Sequence, residues 1–154
     1  MIILKNLNKV YGEGESATIA LRDVNLVIEK GKFTAIVGKS GSGKTTLMNM
    51  VGALDKPTSG TLTIDEVEIT SLSEDELASY RNKTIGFVFQ SFYLETSFSV
   101  LENVAMPLTI AGFKKDIREE KAKEILIALG LEEKIEKKAS DLSSGQKQRV
   151  CIAR

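Results

Sequence analysis

Short apolar runs in the first 90 residues predict a set of strands. M-I-I-L-K-N-L-N-K-V-Y at the N-terminus and V-N-L-V-I-E-K are two such runs, and E-K-G-K predicts a turn after the second. F-T-A-I-V-G is a continuous apolar run ending in glycine, which predicts a strand buried on both faces. T-L-T-I-D and T-I-G-F-V-F-Q predict two more strands. Because the run K-T-T-L-M-N-M-V-G-A-L predicts a helix between F-T-A-I-V-G and T-L-T-I-D, this part of the chain is expected to be mixed α and β.

The chain beyond residue 90 has the periodicity of helices. One apolar face comprises Leu101, Val104, Ala105 and Leu108. Pro107 lies within this stretch and is expected to kink or end its helix. A second stripe has the i, i+3, i+4, i+7 spacing and precedes Gly130, a predicted C-cap; it comprises Ala122, Ile125, Leu126 and Leu129. The two stripes predict a helical layer packed on itself.

Capping pairs mark the predicted helix starts. A Ser or Asp followed three residues later by Glu or Gln satisfies backbone N–H groups that have no partner within the first turn. The pairs are Ser73 with Glu76, Ser99 with Glu102, Asp116 with Glu119, and Ser143 with Gln146.

The amino-acid composition argues against several classes of function. The 154 residues carry 21 basic and 21 acidic side chains, so the formal net charge is zero, which argues against broad electrostatic binding to nucleic acid or anionic lipid. The chain has no histidine, which excludes an imidazole mechanism, and its single cysteine, Cys151, cannot form an internal disulfide. No signal-peptide pattern or long apolar run is present, so no membrane-spanning segment is expected.

The clearest chemical motif is G-K-S-G-S-G-K-T at residues 38–45, which matches the phosphate-binding pattern G-x-x-x-x-G-K-[ST]. Its glycines allow successive N–H groups to point inward, and the helix that follows adds its positive N-terminal end. Lys44 is expected to reach the β- and γ-phosphates and Thr45 to ligate Mg²⁺. The predicted phosphate-binding residues are Gly38, Lys39, Ser40, Gly41, Ser42, Gly43, Lys44, Thr45 and Thr46.

The helix start at residues 143–146 is a second candidate anion site. Ser143 is the predicted N-cap, and Gly145 leaves its backbone N–H unobstructed. An ordinary well-capped helix is the alternative, and the capping pattern taken alone favours it.

Together these features resemble the ABC ATPases. L-S-S-G-Q-K-Q-R-V-C-I-A-R is similar to their signature motif, and the phosphate-binding loop precedes it as their Walker A motif does. L-D-K-P-T-S-G, G-F-V-F-Q-S-F and V-L-E-N-V-A-M-P-L resemble the lipoprotein-release and macrolide-export branch in particular. The resemblance runs from residue 1 to 154 and implies an α/β P-loop NTPase fold with a RecA-like core.

The resemblance also implies a division of the chain. Residues 1–90 would form an antiparallel β part plus the Walker A core, residues 91–142 a helical subdomain, and residues 143–154 the start of the signature helix. The Walker B strand, the D-loop and the switch histidine, which form the C-terminal third of the family fold, have no counterpart. Residues 1–154 are therefore expected to be a partial ABC ATPase domain, about its first two thirds.

Individual roles follow from the family motifs. Tyr11, expected in a loop after the first strand, would stack on adenine, and an ordinary turn aromatic is its alternative. Gln90, at a predicted strand end, would contact Mg²⁺ and the attacking water, whereas a solvated strand end is its alternative. Lys44 and Gln90 are thus the implied catalytic residues, and Thr45 and Gln90 the implied Mg²⁺ ligands. The implied signature contacts to ATP are Ser143, Ser144, Gly145 and Gln146.

Two further positions have open interpretations. Ser144 stands where the family usually has glycine, which adds a side chain close to the expected phosphate. The segment Phe92, Tyr93 and Leu94 belongs either to the core or to a groove where a membrane subunit docks.

The function implied by the resemblance is that of an ATP-binding subunit, hydrolysing ATP in the complete protein, that powers an ABC transporter from the cytoplasmic face of the cell membrane. ATP and Mg²⁺ are the implied cofactors. The implied partners are a membrane permease subunit and a second copy of the chain, with ATP sandwiched between Walker A of one copy and the signature of the other. No nucleic-acid partner is expected.

Two other functions compete with this one. A non-hydrolysing nucleotide-binding fragment would account for the lack of Walker B and of the switch histidine. A non-transport ABC ATPase in translation or DNA repair is disfavoured because E-T-S-F-S-V-L-E-N-V-A-M-P-L resembles a permease-docking region. The 154-residue chain alone is expected to bind ATP without turning it over and to be marginally stable.

Overall fold

The computed structural model describes residues 1–154, which form two compact units, residues 1–83 and residues 84–154. Short 3₁₀ turns join several of the elements; they are Gly14–Ser16, Ile69–Ser71, Glu132–Lys134 and Ala139–Asp141. No helix combines the length and the apolar character that crossing a membrane requires.

The first unit contains a four-stranded antiparallel sheet with the order β2-β1-β3-β4. The strands are β1 (Ile2–Tyr11), β2 (Thr18–Ile28), β3 (Ser59–Ile64) and β4 (Val67–Glu68). β1 pairs with both long neighbours, so that Leu4 lies opposite Leu26 on one side and Leu62 on the other. Leu4 and Leu62 are both fully buried, which places the core of this unit on one face of the sheet.

Gly60 allows β3 to approach β1 closely. Its φ is +88°, and an added Cβ would clash with the carbonyl oxygen of Asn6. Both the backbone conformation and the absence of a side chain are therefore needed at this position.

Two helices complete the first unit. α1 (Lys44–Val51) follows the phosphate-binding loop and places Met50 in the core, where it is fully buried. α2 (Glu74–Thr84) begins with the predicted capping pair, because the N–H of Ser73 donates to Glu76 Oε2 at 2.8 Å and the N–H of Glu76 donates to Ser73 Oγ at 3.4 Å.

The prediction that F-T-A-I-V-G forms a strand buried on both faces is wrong. Residues 33–38 form no ladder with another segment of the chain, and Phe33 and Val37 are 98% and 86% exposed. A strand buried on both faces requires hydrogen-bonded neighbours and covering helices. The four paired strands of this chain all belong to the antiparallel sheet, and none of them pairs with this segment.

The predicted strand T-I-G-F-V-F-Q is also unpaired, and its first residue belongs to α2. The segment nevertheless keeps the side-chain alternation of an extended chain. Ile85, Phe87 and Phe89 are half-buried while the residues between them are exposed, and the rings of Phe87 and Phe89 stack at 5.1 Å between centroids. The sequence therefore predicted the period correctly but not the missing hydrogen-bond partner.

The second unit is the predicted helical layer. Its helices are α3 (Val100–Ile110), α4 (Lys115–Ala128) and α5 (Ser144–Ala153). They share one apolar cluster, whose most deeply buried members include Val100, Leu126, Leu131 and Val150. Both predicted stripes contribute to it through Leu101, Val104, Ala105, Ala122 and Leu126.

Two local predictions in this unit concern Pro107 and Asp116. Of the two outcomes predicted for Pro107, an end of the helix is wrong, because α3 continues for three more residues to Ile110; a kink stays a prediction. Proline lacks only its own N–H, and the helix retains the bond from Ala111 N to Pro107 O at 3.0 Å. Asp116 does not cap α4, because this helix begins at Lys115 with Lys114 as its N-cap and has no side-chain cap. Glu119 instead pairs with Lys115 at 3.7 Å.

Candidate functional site

The loop of residues 38–43 has a shape that only glycine permits at two points. Gly41 and Gly43 have φ values of +77° and +83°, in the region that residues with a Cβ rarely adopt. At Gly43 an added Cβ would also stand 2.5 Å from the carbonyl oxygen of Ala20 in β2. The glycines of the motif therefore let the loop turn sharply and lie directly against the sheet.

The start of α1 is open to an anion. Gly43 is its N-cap, and no side chain caps the first turn or places an acidic group there. The first intrahelical hydrogen bond runs from Leu47 N to Gly43 O at 2.8 Å, so the N–H groups of Lys44, Thr45 and Thr46 have no partner within the chain. Such unpaired donors, together with the helix dipole, form an anion-binding site.

Lys44 brings a positive charge onto the loop. Its Nζ donates to the carbonyl oxygens of Gly38 and Lys39 at 2.9 and 2.6 Å. A cavity of about 570 Å³ lies beside it and is lined by residues 18–20 of β2 and residues 40–46. This volume lies within the range of small-molecule sites, and its walls combine backbone donors with the ammonium group.

Thr45 offers an exposed hydroxyl in the first turn of α1. The chain contains no group of three or more His, Cys, Asp or Glu side chains arranged to hold a metal ion. A Mg²⁺ ion beside Thr45 would therefore take its remaining ligands mainly from phosphate and water oxygens, the coordination that Mg²⁺ commonly adopts with nucleotides.

Tyr11 lies next to this cavity in the sheet. It is the last residue of β1, rather than a loop residue as predicted, and it is 41% exposed. The register places it opposite Thr18, which lines the cavity. Its hydroxyl donates to Asp55 Oδ2 at 2.8 Å.

Lys9 completes a cluster with Tyr11 and Asp55. Lys9 Nζ donates to Asp55 Oδ1 at 2.6 Å and to Lys56 O at 2.7 Å, and it lies 4.8 Å from the centre of the Tyr11 ring. Burial raises the pKa of Asp55, but the hydrogen bonds from Lys9, from Tyr11 and from the backbone N–H of Lys56 outweigh this effect and hold the pKa below its ordinary value. Asp55 is therefore ionised at neutral pH.

The roles of Lys9 and Asp55 have no signal in the sequence. The two residues are 46 positions apart, and L-D-K-P-T-S-G carried only a turn signal and a family resemblance. No local pattern indicates that this carboxylate reaches the end of β1.

The predicted signature residues lie at the start of α5, in the second unit. Ser143 is the N-cap; its N–H donates to Gln146 Oε1 at 2.9 Å and its Oγ accepts from Gln146 N at 3.4 Å. Ser144 and Gly145 are exposed, and their N–H groups have no hydrogen-bond partner within the chain. The capping prediction is confirmed, and two donors of this helix start remain open. Gln90, in the same unit, is exposed.

The other end of α5 holds the segment that follows Gln90. Arg154 donates to the carbonyl oxygens of Tyr93 and Phe92 at 2.7 and 3.2 Å. The thiol of Cys151 donates to Phe92 O at 3.1 Å, and burial raises the pKa of this thiol. Tyr93 is 70% exposed and has a φ of +46°. The segment thus meets α5 through backbone carbonyls, while the Tyr93 ring faces outward.

Comparison with known proteins identifies the family to which this chain belongs. Residues 21–154 match the family described as ABC transporter. The chain belongs to the ABC transporter family. The predicted family and α/β fold class are therefore confirmed.

Several relatives cover the whole chain. The uncharacterized ABC transporter ATP-binding protein YvrO of Bacillus subtilis (strain 168) is 46% identical over 154 residues, which are 100% of this chain and 67% of YvrO. The macrolide export ATP-binding/permease protein MacB of Campylobacter jejuni (serotype O:23/36, strain 81-176) is 49% identical over 154 residues, 100% of this chain and 23% of MacB. This ABC family member thus spans about two thirds of one relative and about a quarter of the other.

A solved structure supports the fold directly. The dimeric structure of a post-hydrolysis state of the ATP-binding cassette MJ0796, bound to ADP and Pi, is 44% identical with a TM-score of 0.89. The similarity covers 99% of this chain and 68% of the cassette. The antiparallel sheet, the loop with α1 and the helical unit described above are accordingly parts of an ABC cassette fold.

Proposed function

We propose that the chain binds Mg²⁺ and ATP through residues 38–46 and is the nucleotide-binding part of a transport ATPase. The observation that carries this proposal is the open N-terminus of α1, where three unpaired N–H groups and the ammonium of Lys44 surround one cavity. The ADP and Pi named for the MJ0796 cassette and the ATP-binding role in the name of YvrO support it.

Each part of the loop has a proposed task in binding the nucleotide. The N–H groups of Lys44, Thr45 and Thr46 donate hydrogen bonds to phosphate oxygens, and Lys44 exchanges its two carbonyl partners for the β- and γ-phosphates. Hydrogen bonds between an ammonium and a phosphate are stronger than those to a neutral carbonyl, so this exchange is favourable. Thr45 would ligate Mg²⁺, whose charge would neutralise part of the phosphate charge.

Calorimetric titration with MgATP tests the phosphate site. Lys44→Ala should reduce binding below detection because the triphosphate loses its main protein cation. Lys32→Ala is the matched control: this exposed lysine of the same unit lies outside the cavity lining, and its loss should leave the affinity unchanged. Equal affinities of the Lys44→Ala variant and the unsubstituted chain would refute the proposal.

Residues 1–154 alone bind ATP without useful turnover. Gln90 can position a water, but an amide is not a base, and the chain contains no histidine. The loss of a general base typically lowers a rate by about 10²- to 10⁴-fold. Phosphate release should therefore be measured for residues 1–154 and for a chimera in which the remaining third of YvrO follows residue 154.

ATP hydrolysis by the chimera and not by residues 1–154 would support the proposal that residues 1–154 bind ATP and need the remaining third for turnover. Equal turnover in both proteins, abolished in both by Lys44→Ala, would mean that residues 1–154 hold a complete catalytic site. If the chimera binds ATP but neither protein hydrolyses it, the alternative of a non-hydrolysing nucleotide-binding module is correct.

The start of α5 serves a second copy of the chain across a bound ATP. An added Cβ at Gly145 would meet nothing within 4 Å, so the chain's own packing does not demand glycine there, although glycine within a helix costs about 1 kcal/mol. Close approach of a phosphate bound to the other copy gives the reason. Gly145→Asp should prevent ATP-dependent dimerisation in sedimentation experiments and leave the ATP affinity of the monomer unchanged. An unchanged dimer fraction would contradict this role.

A membrane permease docks on the second unit, at the cytoplasmic face of the membrane. A cavity of about 360 Å³ there is lined by apolar residues that include Phe98, Leu101 and Met106 and by charged residues of α4 that include Lys115 and Arg118. Its mixed character suits an amphipathic helix of the permease. The MacB relative, named as an ATP-binding/permease protein, supports such a partner.

Reconstitution tests the docking surface. Met106→Glu in the chimera should abolish stimulation of ATP hydrolysis by the permease part of MacB in nanodiscs, and the ATP affinity should not change. Lys134→Glu, on a 3₁₀ turn outside the cavity lining, is the control. Equal stimulation of both variants would show that the permease binds elsewhere.

A further inference from the structure

The carboxylate of Asp55 accepts one hydrogen bond from Lys9 and another from the hydroxyl of Tyr11. We infer that Asp55 is a positioning residue: it fixes the Tyr11 ring in the orientation that receives the purine base, and Lys9 supports the opposite ring face. This inference rests on the proposed binding of ATP and on the role of Tyr11 in it. It adds two residues to the base site that no sequence motif indicates.

The hydroxyl end of Tyr11 is anchored. An exposed tyrosine at a strand end can adopt several χ1 rotamers. The 2.8 Å hydrogen bond to Asp55 Oδ2 holds the far end of the ring, and Asp55 is itself held by the N–H of Lys56 at 2.8 Å and by Lys9 at 2.6 Å. The anchor is therefore a fixed carboxylate and not another mobile side chain.

One face of the ring is already covered. Lys9 and Tyr11 are two residues apart on β1, so their side chains leave the strand on the same side. Lys9 Nζ lies 4.8 Å from the ring centre, which is within the range of a cation–π contact. The Lys9 side chain is 12% exposed, while Tyr11 as a whole residue is 41% exposed. A flat base can stack on the face opposite Lys9.

The position of the ring suits a nucleotide whose phosphates lie on the loop. Tyr11 is paired with Thr18, and residues 18–20 line the cavity that residues 40–46 close on the other side. A ring that already has its bound orientation does not lose rotamer freedom when the base stacks on it. Affinity therefore gains from the anchor without any direct contact between Asp55 and the nucleotide.

The experiment compares MgATP with Mg-tripolyphosphate, which has the phosphates but no base, by calorimetric titration. Stacking of a base on an aromatic ring corresponds to about 5- to 150-fold in affinity, so Tyr11→Ala should weaken MgATP binding by a factor in this range. Tyr11→Phe keeps the ring and loses only the anchor, and Asp55→Asn removes the charge. Each of these two variants should weaken MgATP binding by about three- to tenfold and leave tripolyphosphate binding unchanged.

A double substitution and a control variant distinguish a positioning role of Asp55 from an effect on the stability of the fold. Asp55→Asn should cost little further affinity in the Tyr11→Phe background because the hydroxyl that Asp55 anchors is already absent there. Asp65→Asn is the matched control: Asp65 pairs with Lys30 and with the N-terminal amine in the same unit, and its substitution should change neither titration.

Each contrary result identifies which idea fails. Weaker MgATP binding in Tyr11→Ala with unchanged binding in both Tyr11→Phe and Asp55→Asn would overturn the positioning role while leaving the base site intact. Equal weakening of MgATP and tripolyphosphate binding by Asp55→Asn would show a merely structural carboxylate. Unchanged MgATP binding in Tyr11→Ala would refute the stacking role of Tyr11 itself, and with it the proposed base site.

Discussion

Substitution of Asn103 should loosen the segment that follows Gln90. Asn103 lies in α3 and is fully buried. Its side-chain amide donates to the carbonyl oxygens of Glu95 and Ser99, both at 3.0 Å, and its Oδ1 accepts from Glu95 N at 2.9 Å. One side chain thus holds the loop before α3 at both its N–H and C=O groups. We expect Asn103→Ala to destabilise the second unit.

The magnitude follows from the hydrogen bonds that would be lost. A net contribution of about 1 kcal/mol for each of the three bonds gives about 3 kcal/mol as the upper value. Both carbonyls keep another partner, because Phe98 N donates to Glu95 O and Asn103 N donates to Ser99 O. Only the N–H of Glu95 loses its sole partner. The expected loss of unfolding free energy is therefore about 2–3 kcal/mol.

Thermal unfolding and hydrogen exchange together test this prediction. For a chain of this size, a loss of about 2–3 kcal/mol corresponds to a decrease in Tm of roughly 5–10 °C. The amide of Glu95 should exchange faster in Asn103→Ala. Thr109→Ala is the control on the same helix: it removes one hydrogen bond to Ala105 O at 3.0 Å from an exposed residue, and Tm should change little. An unchanged Tm and an unchanged Glu95 exchange rate in Asn103→Ala would refute the reasoning.

Three further predictions concern single groups. The hydrogen bonds from the backbone and side chain of Ser99 hold the pKa of Glu102 below its ordinary value of 4.5. The stabilising effect of ionised Glu102 is therefore complete above pH 4.5 and is lost as the pH falls through the lowered pKa. Glu102→Gln should flatten this part of the acid unfolding curve, and an unchanged curve would contradict the assignment. Gly60→Ala should destabilise more than Gly112→Ala in urea unfolding, because both glycines have φ above +80° but only Gly60 would clash with backbone, and equal losses would argue against the close strand approach. Because burial raises the pKa of the Cys151 thiol, alkylation by iodoacetamide at neutral pH should be slow in the folded chain and fast in urea. Mass spectrometry measures the single adduct over time, and equal rates would show that the thiol is accessible in the folded chain.

Features encoded within a few residues could be predicted from the sequence. The capping boxes at Ser99 and Ser143 form as expected, because the two side chains that make each box are three residues apart and need no other part of the fold. The glycine-rich loop leads into α1 for the same reason. Most residues of the two predicted stripes face one cluster because helical periodicity determines which residues share a face, whereas Ile125 is 45% exposed and lies outside it.

Features that need a distant partner could not be predicted in this way. The alternation at residues 85–90 was recognised, but a strand also needs a hydrogen-bonded neighbour, and periodicity does not reveal whether one is present. The link between Lys9 and Asp55 spans 46 residues. Asp116 had suitable chemistry for a cap, yet the N-cap of α4 is Lys114, two residues earlier, so Asp116 lies inside the first turn.

The two open helix starts differ in a way that bears on their separate roles. α1 has only a glycine as its N-cap and leaves three N–H groups unpaired beside the ammonium of Lys44. At the start of α5, Ser143 and Gln146 form a capping box, and two N–H groups remain unpaired, at Ser144 and Gly145. A triphosphate with its several negative charges needs the larger set of donors and the nearby cation. The start of α5 is thus suited to add a few contacts to a phosphate that is already bound, which is the role that the proposed second copy of the chain requires of it.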